Sequence, residues 1–233
     1  MLEWNSIDTV LFDMDGTVLD LHFDNYFWED LVPARYAERH GLQKAEAQAL
    51  LRRRYEKVKG TLDWYCLDFW SESLTMDIVS MKEEVRHKIA VRPFALEFLQ
   101  QLRNSGKAAL LVTNAHPDSL NLKMRHTGIA GHFDHTVSSH SISSQNLRLA
   151  KENAGFWHAL RQQHPFDPQR TLLIDDSLPV LRCAAAEGIA HLLAIRQPDS
   201  QRAPLTPEEF VQLDDFTQIM PGLEPCGSGP VRD

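Results

Sequence analysis

Cysteine is scarce in this chain. Cys66, Cys183 and Cys226 are the only three in 233 residues, far apart and without C-x-x-C spacing, so neither a zinc site nor a disulfide framework is suggested. No apolar run approaches the roughly 18 residues that a membrane span needs. The first dozen or so residues carry acids where a secretory signal would show a basic flank and then an apolar stretch. Basic clusters are missing too: the formal charge is -8, with Lys and Arg spread along the chain. That argues against a nucleic-acid polymer or an anionic membrane as partner, and leaves room for a small anion held locally. No internal repeat is found. The expectation from these absences is a cytoplasmic protein with reduced thiols.

What is present suits a folded domain. With 43% hydrophobic and 24% charged residues, the chain can bury a sizeable core as one large domain or as a domain carrying an insertion. From Phe23 to Ala90 the pattern is helical throughout, and Gly41 and Gly60 sit where helix C-terminal caps belong. After Pro93, placed for the first turn of a helix, the elements alternate: "FALEFLQQLRNSG", strand "KAALLVT", "SLNLKMRHTG", a short strand near "HTVSS", "AGFWHALRQQ", strand "RTLLID", "LPVLRCAAAEG", strand "AHLLAI". Strands separated by helices of this length imply an α/β protein with a parallel sheet and crossover helices. The first strand is Thr9 to Phe12. The expected core spans residues 1–17 and 91–220, interrupted by an all-helical insertion over residues 18–90. The Pro/Gly-rich segment 221–233 is expected to be disordered.

The stretch "TVLFDMDGT" runs an apolar strand directly into Asp13 and Asp15. An Asp before Gly after such a run is most often a turn. On an extended chain, however, residues two apart point to one side, with Met14 opposite. Two carboxylates on one face repel unless a cation such as Mg²⁺ sits between them. Open parallel sheets bind ligands at the carboxyl ends of their strands. Collected there are Asp13 and Asp15, Thr113 and Asn114 after "ALLV", and Asp175, Asp176 and Ser177 after "TLLI", with Lys151 in the connection before "AGFWHAL". Alone, "IDDS" reads as a helix N-cap. Together, four acids converging on one sheet edge call for a cation and an electrophile.

These residues resemble the haloacid dehalogenase-like hydrolases. "DMDGT" is similar to that family's D-x-D-G-T nucleophile motif, "LLVTN" to its second motif, Lys151 to its lysine and "LLIDDS" to its acidic fourth motif. The resemblance implies a Rossmann-like, doubly wound core with a helical C1-type cap inserted after the first strand. It also implies a Mg²⁺-dependent phosphomonoesterase with an aspartyl-phosphate intermediate: Asp13 as nucleophile, Asp15 as general acid and base, and Thr113 and Lys151 on the phosphoryl oxygens. Asp13, Asp176 and the Asp15 carbonyl would ligate Mg²⁺, supported by Asp175. The lysine stands in "RLAKEN" and not in the family's Gly-x-Pro-Lys context, so Arg148 is an alternative.

"DLHFDNYFWEDLVP", "TLDWYCLDFWSE" and "TNAHP" further resemble the bacterial 5'-nucleotidases of this superfamily that act on GMP and IMP. The expected partner is thus a small phosphorylated metabolite, a purine nucleoside monophosphate. Phosphoglycolate or a sugar phosphate, a phosphomutase activity, and a metal-binding protein without turnover are the alternatives. Of Tyr26, Phe27, Trp28, Trp64, Tyr65, Phe69 and Trp70, most are expected to pack and one or two to stack on a base. Asn114 is expected to bind substrate, and His116 is a candidate for the pocket wall.

Overall fold

The computed structural model describes residues 2–144, 147–206 and 209–224. Strand β1, Thr9–Phe12, is buried along its whole length. The insertion follows, with helices α1 (His22–Tyr26), α2 (Val32–His40), α3 (Lys44–Val58), α4 (Leu62–Tyr65), α5 (Leu67–Leu74) and α6 (Ile78–Glu84). The remaining elements are α7 (Ala95–Asn104), β2 (Ala108–Thr113), α8 (Pro117–Thr127), β3 (His135–Ser138), β4 (Ser143–Ser144), β5 (Leu147–Arg148), α9 (Phe156–Gln163), β6 (Thr171–Asp175), α10 (Leu178–Ala186), β7 (His191–Ile195) and β8 (Val211–Leu213).

Among the described residues, six strands form one parallel sheet in the order β3-β2-β1-β6-β7-β8, and β4 and β5 make a short antiparallel pair. Alternate residues of the central strands feed two cores. Val10, Phe12, Leu172 and Ile174 join α7 and α8 through Phe98, Leu99, Leu120 and Leu122. Leu11, Leu173 and Val112 join α9 and α10 through Phe156, Leu160, Val180 and Leu181. Burial on both faces explains why these strands are continuous apolar runs. Strand order reverses between β1 and β6, the switch point at which such sheets open a ligand crevice.

The two chain crossings into the insertion lie side by side: Leu19 bridges Val91, Asp20 N–H donates to Ala90 O and Arg92 N–H to Val18 O. That pairing demands a sharp turn next. Pro93 therefore precedes α7 rather than entering its first turn, and Phe94 caps the helix with φ 62°. Gly41 ends α2 in the left-handed region, and Gly60, with φ 78°, follows Lys59 at the end of α3, both as expected.

Between α1 and α2 the rod widens into a π turn, Phe27–Leu31. Pro33 has no N–H and its ring crowds the carbonyl four residues back, which favours such a widening. The carbonyls there find side chains instead: Gln48 Nε2 donates to Glu29 O and Tyr55 OH to Trp28 O. Strand β8 was not anticipated from the sequence; it is three residues at a sheet edge, with Val211 70% exposed. Of the segment expected to be disordered, residues 225–233 lie outside the described residues, while Leu223 is buried in the core that also holds Trp4. Among the described residues no helix is long and apolar enough to cross a membrane, and Cys66 and Cys183 are free thiols.

Candidate active site

Phe12 pairs with Leu111 on one side and Ile174 on the other, so Asp13 and Asp175 leave their strands at the same level. Asp13 N–H donates to Ile174 O, extending the ladder by one residue, and Met14 turns into the core. Gly16 then takes φ 94°. A Cβ at Gly16 would stand 2.7 Å from Asp176 Oδ2 and 2.9 Å from Pro198 Cβ, so only glycine lets the loop close on the acids.

Lys151, itself buried, reaches this edge from the turn after β5. Its Nζ lies 2.5 Å from Asp13 Oδ1 and 2.7 Å from Asp175 Oδ2. Asp175 Oδ1 accepts Ser177 N–H at 2.9 Å, so both its oxygens are engaged. Ser177 occupies the N-cap position of α10 without a side-chain cap bond. Asp13 Oδ2 is buried with no hydrogen-bond partner. One oxygen each from Asp13, Asp175 and Asp176 lie within 4.8 Å of one another.

Burial pushes Asp13 up to about 6, with the Lys151 ammonium pulling the other way. Asp176 is raised well above the usual carboxylate range by burial and by the neighbouring Asp13 and Asp175. A buried, unpartnered carboxylate oxygen amid mutually repelling acids fits a divalent cation such as Mg²⁺, which Asp13 and Asp176 would hold.

Thr113 lines the crevice, and its Oγ1 accepts Ala115 N–H. Asn114 lines it as well, but its side chain fastens the lysine turn: Oδ1 accepts Lys151 N–H and Nδ2 donates to Glu152 Oε2 at 2.8 Å. Glu152 also accepts Tyr65 OH from the insertion at 3.0 Å. Arg148 is exposed and bonds His140 Nδ1. It is not among the residues lining the crevice, so Lys151 is the cation at Asp13. His116 lines the crevice wall and caps α8, its Nδ1 accepting Asp118 N–H.

Asp15 points to a second ammonium. Its Oδ1 accepts Lys123 Nζ at 2.6 Å; Lys123 also bonds Asp24 Oδ2 at 2.6 Å, and Asp24 Oδ1 accepts Lys82 Nζ at 2.6 Å. Burial raises Asp15 to about 6, opposed by Lys123. For Asp24 burial acts upward, but Lys123 and Lys82 outweigh it and hold the carboxyl down to about 2. Asp24, Lys82, Lys123 and Glu152 belong to no motif in the sequence. The signals were charged residues inside apolar patterns: Asp24 within "HFDNYFW", and Lys123 three residues after Leu120.

The crevice has a volume of about 870 Å³ and runs from these acids to the insertion, where Trp28, Tyr55, Trp64 and Tyr65 line it. Trp70 is buried beneath them, its ring 5.9 Å from Trp28, 5.0 Å from Tyr55 and 6.3 Å from Trp64, and its Nε1–H donates to Trp64 O. Phe27 is also buried, and Tyr26 and Phe69 pack against the same core.

Comparison with known proteins agrees with this arrangement. Residues 7–188 match the haloacid dehalogenase-like hydrolase family. The chain is similar to the GMP/IMP nucleotidase YrfG of Escherichia coli (strain K12), at 41% identity over 222 residues, covering 95% of this chain and 98% of that protein. The nucleotidase of the same name from Shigella flexneri matches at the same identity and coverage. Among solved structures, the HAD phosphatase from Thermococcus onnurineus superposes with a TM-score of 0.73 at 21% identity, over 91% of this chain and 96% of that one. At that identity the likeness speaks for the fold.

Proposed function

Because the chain belongs to the haloacid dehalogenase-like hydrolases, we propose that this hydrolase is a Mg²⁺-dependent phosphomonoesterase of the cytoplasm, acting on purine nucleoside monophosphates through an aspartyl phosphate. Asp13 carries the reading: one oxygen is held by Lys151 and the other is buried, unpartnered and at the end of a crevice large enough for a nucleotide. The 41% identical GMP/IMP nucleotidase supports the choice of substrate.

In the first step Asp13 attacks phosphorus and the bond to the ester oxygen breaks, while Asp15 gives its proton to the departing nucleoside oxygen. Lys151 and Thr113 hold the phosphoryl oxygens as charge develops. In the second step Asp15 takes a proton from water, whose hydroxyl adds to phosphorus as the bond to Asp13 breaks. Phosphate leaves, and Asp15 is again protonated. A carboxyl raised to about 6 suits a group that both gives and takes a proton near neutral pH. Asp13 and Asp176, with the Asp15 carbonyl, would hold Mg²⁺, and its charge would mask the repulsion between nucleophile and phosphate. The aromatic residues of the insertion would receive the base, in the manner of a cap that selects the leaving group.

The test is phosphate release from GMP, IMP, phosphoglycolate and glucose phosphate, with and without Mg²⁺. GMP and IMP should give the highest kcat/KM, and Mg²⁺ should be required. A phosphomutase would pass the phosphoryl group to a second hydroxyl and release little phosphate. A metal-binding protein without turnover would release none.

A further inference from the structure

A buried ammonium is costly unless its charge is balanced. Lys123 projects from α8 into the interior at 1% exposure, and the string it joins alternates in sign: Asp15, Lys123, Asp24, Lys82. Each junction is 2.6 Å. The Phe23 ring lies 4.9 Å from the Lys82 ammonium and 5.2 Å from that of Lys123, adding cation–π contact to both. The membership of the string is divided. Asp15 and Lys123 belong to the sheet and its helices, whereas Asp24 and Lys82 belong to the insertion, on α1 and α6. Both oxygens of Asp24 are engaged, one by each lysine, so among the described residues it is the insertion that steadies the far side of Lys123. Asp15 gives one oxygen to Lys123 and lines the crevice, leaving Oδ2 for chemistry.

We propose that Lys123 is a positioning residue that aims the carboxyl of Asp15, and that the insertion's Asp24 and Lys82 hold Lys123 in place, so that seating of the insertion on the sheet sets the aim of the acid and base. The proposal rests on Asp15 acting as the acid, and the experiment separates the two. Protonation matters for a leaving nucleoside alkoxide and far less for p-nitrophenolate, which departs readily unprotonated. A residue that aims Asp15 therefore affects GMP and glucose phosphate, whose leaving groups are both alkoxides, and spares p-nitrophenyl phosphate, whereas one that only seats the aromatic residues of the insertion lowers GMP alone and one that only supports the fold lowers all three alike.

The measurement is kcat/KM, which reports the steps up to departure of the first product, for GMP, glucose phosphate and p-nitrophenyl phosphate. Wild type is compared with Lys123→Met, Lys82→Met and Asp15→Asn. General acid assistance contributes about 10² to 10⁴. Lys123→Met should accordingly lose about 10²-fold or more on both GMP and glucose phosphate and less than about 10-fold on p-nitrophenyl phosphate. Lys82→Met, which leaves the Lys123–Asp15 contact in place, should move in the same direction by a smaller factor. Should Lys123→Met not fold, the nearly isosteric Asp24→Asn is read in its stead. If Asp15→Asn is selective and the string variants lower all three substrates equally, GMP alone or none, the proposal is overturned and the reading of Asp15 stands. If Asp15→Asn itself fails to discriminate, Asp15 is not the acid, and the proposal falls with it.

Discussion

Lys151 Nζ sits 2.5 Å from Asp13 Oδ1, and the other oxygen of that carboxylate is buried without a hydrogen-bond partner. The lysine thus fixes the orientation of the carboxylate at the end of the crevice. Asp13→Asn keeps the shape and removes the nucleophile. Turnover of GMP should fall by about 10⁴ to 10⁶, while circular dichroism and melting remain those of a folded protein. A variant retaining a tenth of wild-type activity would remove Asp13 from the mechanism.

The acids also make stability depend on pH and on the cation. Burial holds Asp13 and Asp15 each at about 6 in the folded chain, against about 3.9 when unfolded. Their contribution to stability is therefore full below about pH 4 and is lost as pH rises through about 6. Asp24, held down to about 2, acts oppositely: its contribution is present above about pH 4 and is lost as pH falls through about 2. At pH 7.5 Asp13 and Asp15 are ionised and crowded in the metal-free protein, and a bound Mg²⁺ would relieve them. At pH 5 the cation must first displace protons. Mg²⁺ at about 100 times its Kd should raise Tm by about 5 to 10 °C at pH 7.5, and by clearly less at pH 5. Equal increments in melts at the two pH values would place the cation elsewhere.

The sheet and its acidic edge were legible because they are written locally. Thr9–Phe12 and Thr171–Asp175 are buried parallel strands, so their runs are apolar, and the acids follow directly in the chain. The string behind Asp15 is written nowhere locally: its three contacts join residues 108, 99 and 58 positions apart. No spacing rule links them, and only the docking of α1 and α6 against α8 brings them together. Strand β8 is weakly written for a different reason. Three residues at an edge need no alternation, and Val211 is largely exposed. Pro33 was visible, but its effect on the π turn depends on Gln48 and Tyr55 arriving from α3.

Asp175 and Asp176 are neighbours with different employment. Asp175 spends one oxygen on Lys151 and the other on Ser177 N–H, whereas Asp176 makes no hydrogen bond among the described residues and stands over Gly16. Asp176→Ala should raise the Mg²⁺ concentration for half-maximal activity about tenfold or more, since Mg²⁺ depends on few protein oxygens, with little change in Tm. Asp175→Ala leaves a buried ammonium short of a partner and should destabilise by about 3 to 5 kcal/mol. Mg²⁺ titrations and melts of both variants check this, and the reverse ranking would mean that Asp175 is the principal ligand.

Trp64 and Trp70 are equally plausible base-stacking residues in the sequence, but they differ in the fold. Trp64 lines the crevice beside Trp28 and Tyr55, while Trp70 is 1% exposed and packs beneath them. Stacking of a base on an aromatic ring is worth about 1 to 3 kcal/mol, or roughly 5-fold to 150-fold in kcat/KM when it persists in the transition state. Trp64→Ala should therefore narrow the preference for GMP over glucose phosphate by a factor in that range, with turnover of the sugar phosphate little changed, because Asp13, Asp15 and Lys151 are untouched. Trp70→Ala should instead cost about 3 to 5 kcal/mol of stability and shift the two substrates together. Kinetics of both substrates, with melts alongside, distinguish the roles. An unchanged preference in Trp64→Ala would exclude Trp64 from the base site, leaving Trp28 or Tyr55 to supply the stacking face.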